Sequence, residues 1–142
     1  EVINDQKVWQ KYMKEHADRH IGARELFDAA NLSYLGSKEV SKEQLMEVSP
    51  ARFVTAETPP AFLWATAEDE VVPVQHSIRM AHALADEGVP FELHIFEEGR
   101  HGLSLATQAS SNCKAQINPD AAKWVGLAEA WLHKRFSIKF ED

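Results

Sequence analysis

The sequence holds a single cysteine, Cys113, so no disulfide can form within the chain and its stability has to come from packing. That usage suits a reducing compartment. No stretch approaches the roughly 18 apolar residues needed to cross a bilayer. The opening segment, Glu1 to Asp5, has no basic flank followed by an apolar run, so no secretory leader is visible. Together these absences give a cytoplasmic protein without membrane contact as the expectation, although a chain that starts mid-gene would say nothing about export. Positive charge is also in deficit. Lys and Arg number 15 against 22 Asp and Glu, a formal net charge of -7, which works against binding a phosphate backbone. Lys7, Lys11 and Lys14 cluster near the start, but Glu15 and Asp18 dilute them, and nucleic acid is not an expected partner. Internal repeats and low-complexity tracts are missing as well.

What is present is an ordinary globular composition, 44% apolar and 26% charged over 142 residues, enough for one core. Residues 1–4 read as the end of a strand. From Asp5 to about Asp28, the apolar positions Val8, Trp9, Tyr12, Met13, Ile21 and Leu26 follow a moderate helical period, interrupted near Gly22. Ser41 to Gln44 is a capping box opening a short helix that carries Leu45, Met46 and Val48 and stops before Pro50. This first third is polar and irregular, and residues 1–50 are expected to form a helical insertion or lid-like segment.

The pattern changes at Thr58-Pro-Pro. Ala61 to Ala65 is an unbroken apolar run after prolines, as in a strand buried on both faces. A polar loop from Thr66 to Pro73 leads to a helix over Ser77 to Glu87, with Gly88 as its terminator. Phe91 to Phe96 reads as a second strand, Glu97 to Gly102 as a tight turn, and the following long stretch as a polar loop running to Pro119. A last helix spans about Asp120 to Phe136, with Trp124 and Trp131 in a row that packs on a sheet. Strand, helix, strand, helix in this order predicts an α/β fold with parallel strands and crossover helices. Ligands in such sheets bind beyond the carboxyl ends of the strands, where both loops lie.

Those two loops carry the chemistry. The first holds Asp69 followed after one residue by Val71-Val72-Pro73, and the second sets His101 between Gly99 and Gly102, with Asp69 and His101 standing 32 positions apart. This pattern resembles the acid and histidine loops of α/β-hydrolases. The resemblance is nearest to the esterase branch with acetyl-xylan and feruloyl-type esterases, because four elements agree in order and spacing. These are Thr58 to Pro60, Asp69 to Pro73, Gly88 to His94 and His101 to Leu103, within a likeness covering roughly residues 50 to 136. Family members often have His where Ala65 stands and Asp where Glu68 stands, which affects substrate branch rather than the two principal positions.

The resemblance implies that residues 51–142 are the carboxy-terminal part of an α/β-hydrolase domain. Asp69 would orient and His101 would act as base, then acid, in a Ser-His-Asp triad. It implies a serine hydrolase of carboxylic esters, with acetyl or aromatic acyl groups on sugars or similar alcohols as substrates, and with no metal or organic cofactor. The family's serine lies in a Gly-x-Ser-x-Gly elbow upstream of the acid. No such motif occurs here, and the nearest imitation, Gly102 to Ala106 around Ser104, follows the histidine. The chain is therefore expected to be a fragment that supplies acid and histidine but not nucleophile. Two alternatives stand beside this reading: a related serine peptidase, which shares these loops, and a non-catalytic domain that self-associates or assembles with a companion chain.

Other residues have simpler readings. Loop aspartates are commonly solvated, and Asp69 gains weight only in company with His101. Glu68 and Glu70 read as solvated neighbours, Glu68 being a lesser candidate for the acid. His16 and His20 lie one helical turn apart, without a third ligand or the Glu of a zinc motif. His94 is expected to alternate outward, while His76, His82 and His133 show no partner. Trp64 reads as core, or as an aromatic at the cleft. Cys113 lacks a paired histidine nearby in sequence.

Overall fold

The computed structural model describes residues 23–111 and 113–137. His16, His20, the Lys7 to Lys14 cluster and the strand end expected over residues 1–4 lie outside them. The chain divides into two compact units at Val54 and Thr55.

In the first unit, α1 runs from Ala23 to Leu35 and α2 from Lys42 to Glu47. The helix expected to finish near Asp28 therefore continues for two more turns. It stops where Gly36 takes φ 70 and its N–H bonds the Leu32 carbonyl. The Ser41 box forms as its sequence requires. Ser41 Oγ accepts from Gln44 N at 3.2 Å and Gln44 Oε1 accepts from Ser41 N at 2.9 Å, satisfying two otherwise orphaned donors.

The second unit is built on two parallel strands, β1 (Ala61–Thr66) and β2 (Phe91–Phe96), in register from Ala61 opposite Phe91 to Thr66 opposite Phe96. Parallel neighbours require a crossover, and α3 (Gln75–Asp86) supplies it, packing on both strands. Its apolar face buries Ala81 and, completely, Leu84. Gly88, at φ 68, ends it: Val89 N bonds Leu84 O at 2.9 Å and Gly88 N bonds Ala85 O at 3.1 Å, the paired bonds of a Schellman closure.

The last helix, α4 (Trp124–Phe136), follows a short 3-10 turn at Ala121–Lys123 and packs on β1. Trp124 stacks on Trp64 with centroids 5.1 Å apart and planes 9° apart, and Trp64 meets Phe96 edge-on. Trp64 is thus a core residue and not a cleft aromatic. Phe62, two residues earlier on the same face of β1, contacts both Trp131 and His94. His94 consequently does not point outward. Its side chain is 28% exposed and lies beside Glu92.

The stretch from Leu103 to Pro119 departs most from its polar reading. Two 3-10 turns punctuate it, and Leu103 and Ala106 are buried with Ala121 against Trp64, Phe96 and Ala122. Two small-to-medium apolar residues in a polar stretch give no periodic signal. They enter the core because positive φ at Ser104 and Ala106 folds the segment back on the strand ends.

Candidate active site

Both loops leave the carboxyl ends of the strands, so the parallel register that puts Thr66 opposite Phe96 also brings the two loops side by side. The ladder extends one step further, with Ala67 N bonding Phe96 O at 2.8 Å. Asp69 then turns the chain: its Oδ1 accepts from Val71 N at 2.9 Å and Val72 N at 2.8 Å. An aspartate that bonds its own downstream amides fixes its χ angles without outside help. Its second oxygen, Oδ2, is left facing the neighbouring loop.

There it meets His101 Nδ1 at 3.0 Å. An ionised carboxylate only accepts, so facing it Nδ1 donates, and in the neutral ring that leaves Nε2 as the acceptor. The Asp69 side chain is 16% exposed and that of His101 47%, so the acid is sheltered while the imidazole reaches the surface. Among the described residues, Nε2 has no hydrogen-bond partner. A sheltered acid, an oriented ring and a free outer nitrogen are the parts a general base needs.

The histidine loop is held by its backbone. Gly99 has φ 142, and a Cβ there would lie 2.8 Å from both Leu103 Cδ1 and Thr66 Cγ2, so only glycine fits. The buried Thr66 hydroxyl donates to Gly99 O at 2.6 Å, and Glu68 Oε2 accepts from Gly99 N at 3.2 Å. Glu68 therefore braces the loop and does not serve as the acid paired with His101. Asn118 adds a second support. Its Nδ2 donates to Glu98 O at 2.9 Å, while its Oδ1 accepts from Asp120 N and Ala121 N at the entry to the last helix. The sequence reading did not single out Thr66 or Asn118. An Asn-Pro-Asp turn just before a helix was the available signal for the latter.

The remaining expectations sort by position. Ser104 takes φ 53, yet it follows a turn rather than a strand, and its carbonyl accepts from Trp124 Nε1 at 2.9 Å. Among the described residues it makes no hydrogen bond to His101. His82 pairs with Asp86 at 2.9 Å and His133 lies 4.0 Å from Glu129, both i,i+4 partners on exposed helix faces that spacing alone could have suggested. Burial, reinforced by the Arg79 charge, lowers the His76 pKa below its ordinary value. Cys113 is exposed. Among the described residues, no group of three or more His, Cys, Asp and Glu could hold a metal, and no helix is long and apolar enough to cross a membrane.

The chain as a whole is similar to known proteins. The sequence profile of the prolyl oligopeptidase family matches residues 9–118. A curated relative, endo-1,4-beta-xylanase B of Butyrivibrio fibrisolvens, is 44% identical over 64 residues, 45% of this chain and 10% of that protein. Among solved structures, a sugar hydrolase from Lactococcus lactis is 38% identical with a TM-score of 0.65, over 72% of this chain and 41% of its own. An acetyl ester-xyloside bifunctional hydrolase from Caldicellulosiruptor lactoaceticus is 34% identical, also at 0.65, over 82% of this chain and 40% of its own. The 142 residues thus span about two fifths of these solved chains and a tenth of the curated relative, and their parallel strands and helices form part of an α/β-hydrolase fold.

Proposed function

Since the chain belongs to the prolyl oligopeptidase family, we propose that it supplies the acid and the base of a serine hydrolase acting on carboxylic esters, with Asp69 and His101 in those roles. The observation that carries this reading is the His101 Nδ1 to Asp69 Oδ2 bond at 3.0 Å, with the other carboxylate oxygen fixed by two backbone amides. In the proposed reaction a serine outside these 142 residues attacks the acyl carbonyl while His101 Nε2 takes its proton. The imidazolium, stabilised by Asp69, returns that proton to the departing alcohol and leaves an acyl-enzyme. Water, deprotonated by the same nitrogen, then attacks the acyl carbon, the bond to serine breaks, and the imidazolium returns its proton to the serine as the acid leaves.

Acetyl or aromatic acyl groups on a sugar or similar alcohol are the substrates this reading favours, supported by the esterase character of one solved relative. Glycosidic cleavage, the activity in the xylanase relative's name, ordinarily uses two carboxylates flanking the bond. Asp69 is paired instead with an imidazole, which suits acyl transfer. A related peptidase is the second reading, favoured by the family's name and by a pair of residues that serves amides equally well.

The test uses the full-length protein that contains this sequence, treated with a fluorophosphonate that tags activated serines and weighed intact. The expected result is one adduct, on a serine outside these residues, that is lost in His101→Ala. Turnover of acetyl esters but not of peptides would select the first reading. No adduct, or an adduct on Ser104, would end the proposal.

A further inference from the structure

Gly99 is held at both its amide and its carbonyl, and both contacts come from the start of the acid loop. Thr66 Oγ1 donates to its carbonyl at 2.6 Å, and Glu68 accepts from its amide at 3.2 Å. The two are unequal. Glu68 is exposed and its bond competes with water, whereas Thr66 is 3% exposed and its hydroxyl makes a part-buried bond to the Gly99 carbonyl. Thr66 is also the last residue of β1, opposite Phe96, so its side chain stands where the two strands deliver their loops. Its methyl faces the position a Gly99 Cβ would occupy.

We propose that Thr66 is a positioning residue: its buried hydroxyl sets the height of the histidine loop so that His101 Nδ1 meets Asp69 Oδ2. This rests on the reading of Asp69 and His101 as acid and base. The two contacts are coupled by chain geometry. Gly99 lies two residues before His101, and Thr66 three before Asp69, so the Thr66–Gly99 bond and the Asp69–His101 bond close one ring across the loops. Without the first, the histidine loop is held to the acid loop by the solvent-exposed Glu68–Gly99 bond and by an imidazole whose side chain is 47% exposed. The free outer nitrogen of His101 would then lose its fixed tautomer.

The experiment is nitrogen-15 NMR of the His101 ring in the full-length protein that contains this sequence, at about pH 8, where a free imidazole is neutral. The ratio of Nδ1–H to Nε2–H tautomers is the readout, with the unfolding midpoint recorded beside it. The parent chain is expected to hold the Nδ1–H tautomer, and Thr66→Val, which keeps the shape but removes the hydroxyl, to lower that ratio roughly fivefold. Thr66→Ser, which keeps the hydroxyl and loses the methyl, is expected to retain it. A ratio unchanged in Thr66→Val overturns the proposal. So does a ratio lost in a folded Thr66→Ser, which decides the matter even if the valine variant fails to fold. Asp69→Asn separates the two levels. If it collapses the ratio and Thr66→Val does not, only the positioning role falls. If it changes nothing, the acid–base pairing itself falls and takes the proposal with it.

Discussion

Asp69 uses one carboxylate oxygen for His101 Nδ1, at 3.0 Å, and the other for the amides of Val71 and Val72, so the residue that orients the imidazole is itself oriented by the turn it starts. The loop carries its own scaffold. Replacing Asp69 by Asn keeps the size but puts an amide where an acceptor has to be. In the full-length protein that contains this sequence, Asp69→Asn is expected to lower the proposed esterase kcat by about 10⁴ through the wrong tautomer. Steady-state kinetics with an acetyl ester check it, and a loss below tenfold removes Asp69 from the mechanism.

Gly99 and Gly102 frame the histidine but differ in what surrounds them. A methyl at Gly99 collides with Leu103 and Thr66 at 2.8 Å, whereas Gly102, at φ 77, has no heavy atom within 4 Å of that position. Gly99→Ala is expected to cost about 3 kcal/mol from strain and overlap together. Gly102→Ala is expected to cost about 1 kcal/mol from backbone conformation alone. Urea denaturation of both variants measures the difference, and equal costs would contradict it.

Leu84 is fully buried where the crossover helix meets the strands, while Ile78 on the same helix is 46% exposed. Leu84→Ala should therefore lose about 2–5 kcal/mol to transfer and cavity terms, and Ile78→Ala under about 1 kcal/mol. Thermal unfolding of the pair tests whether the second unit depends on this one contact region.

His76 gives stability a pH dependence of definite sign. Burial and the Arg79 charge hold its folded pKa below the ordinary imidazole value, so between those two values the unfolded chain binds more protons than the native one. Its contribution is complete above about pH 6.5 and is lost as the pH falls through the lowered folded value. His76→Gln should flatten that part of the stability profile, as denaturation midpoints on either side of the transition would show. A profile that keeps its slope would assign the effect to other groups.

The amino-acid sequence alone determined what local rules govern. Gly88 ends a helix because a left-handed residue closes the last turn, Ser41 opens one because it can exchange bonds with Gln44, and the apolar run Ala61 to Ala65 forms a strand, though its residues are half-buried rather than covered on both faces. The sequence pointed to Asp69 and His101 only through the resemblance of their two loops, in order and spacing, to those of α/β-hydrolases, since neither residue stands out alone. The tertiary structure alone decided what depends on distance along the chain. The Thr66–Gly99 and Asn118–Glu98 bonds join residues 33 and 20 positions apart. The burial of Leu103 and Ala106 depends on a loop folding back onto Trp64 and Phe96. A hydroxyl, an amide and two isolated apolar residues have no period to reveal them. Only the parallel register, by setting the ends of both strands side by side, gives each of them its partner.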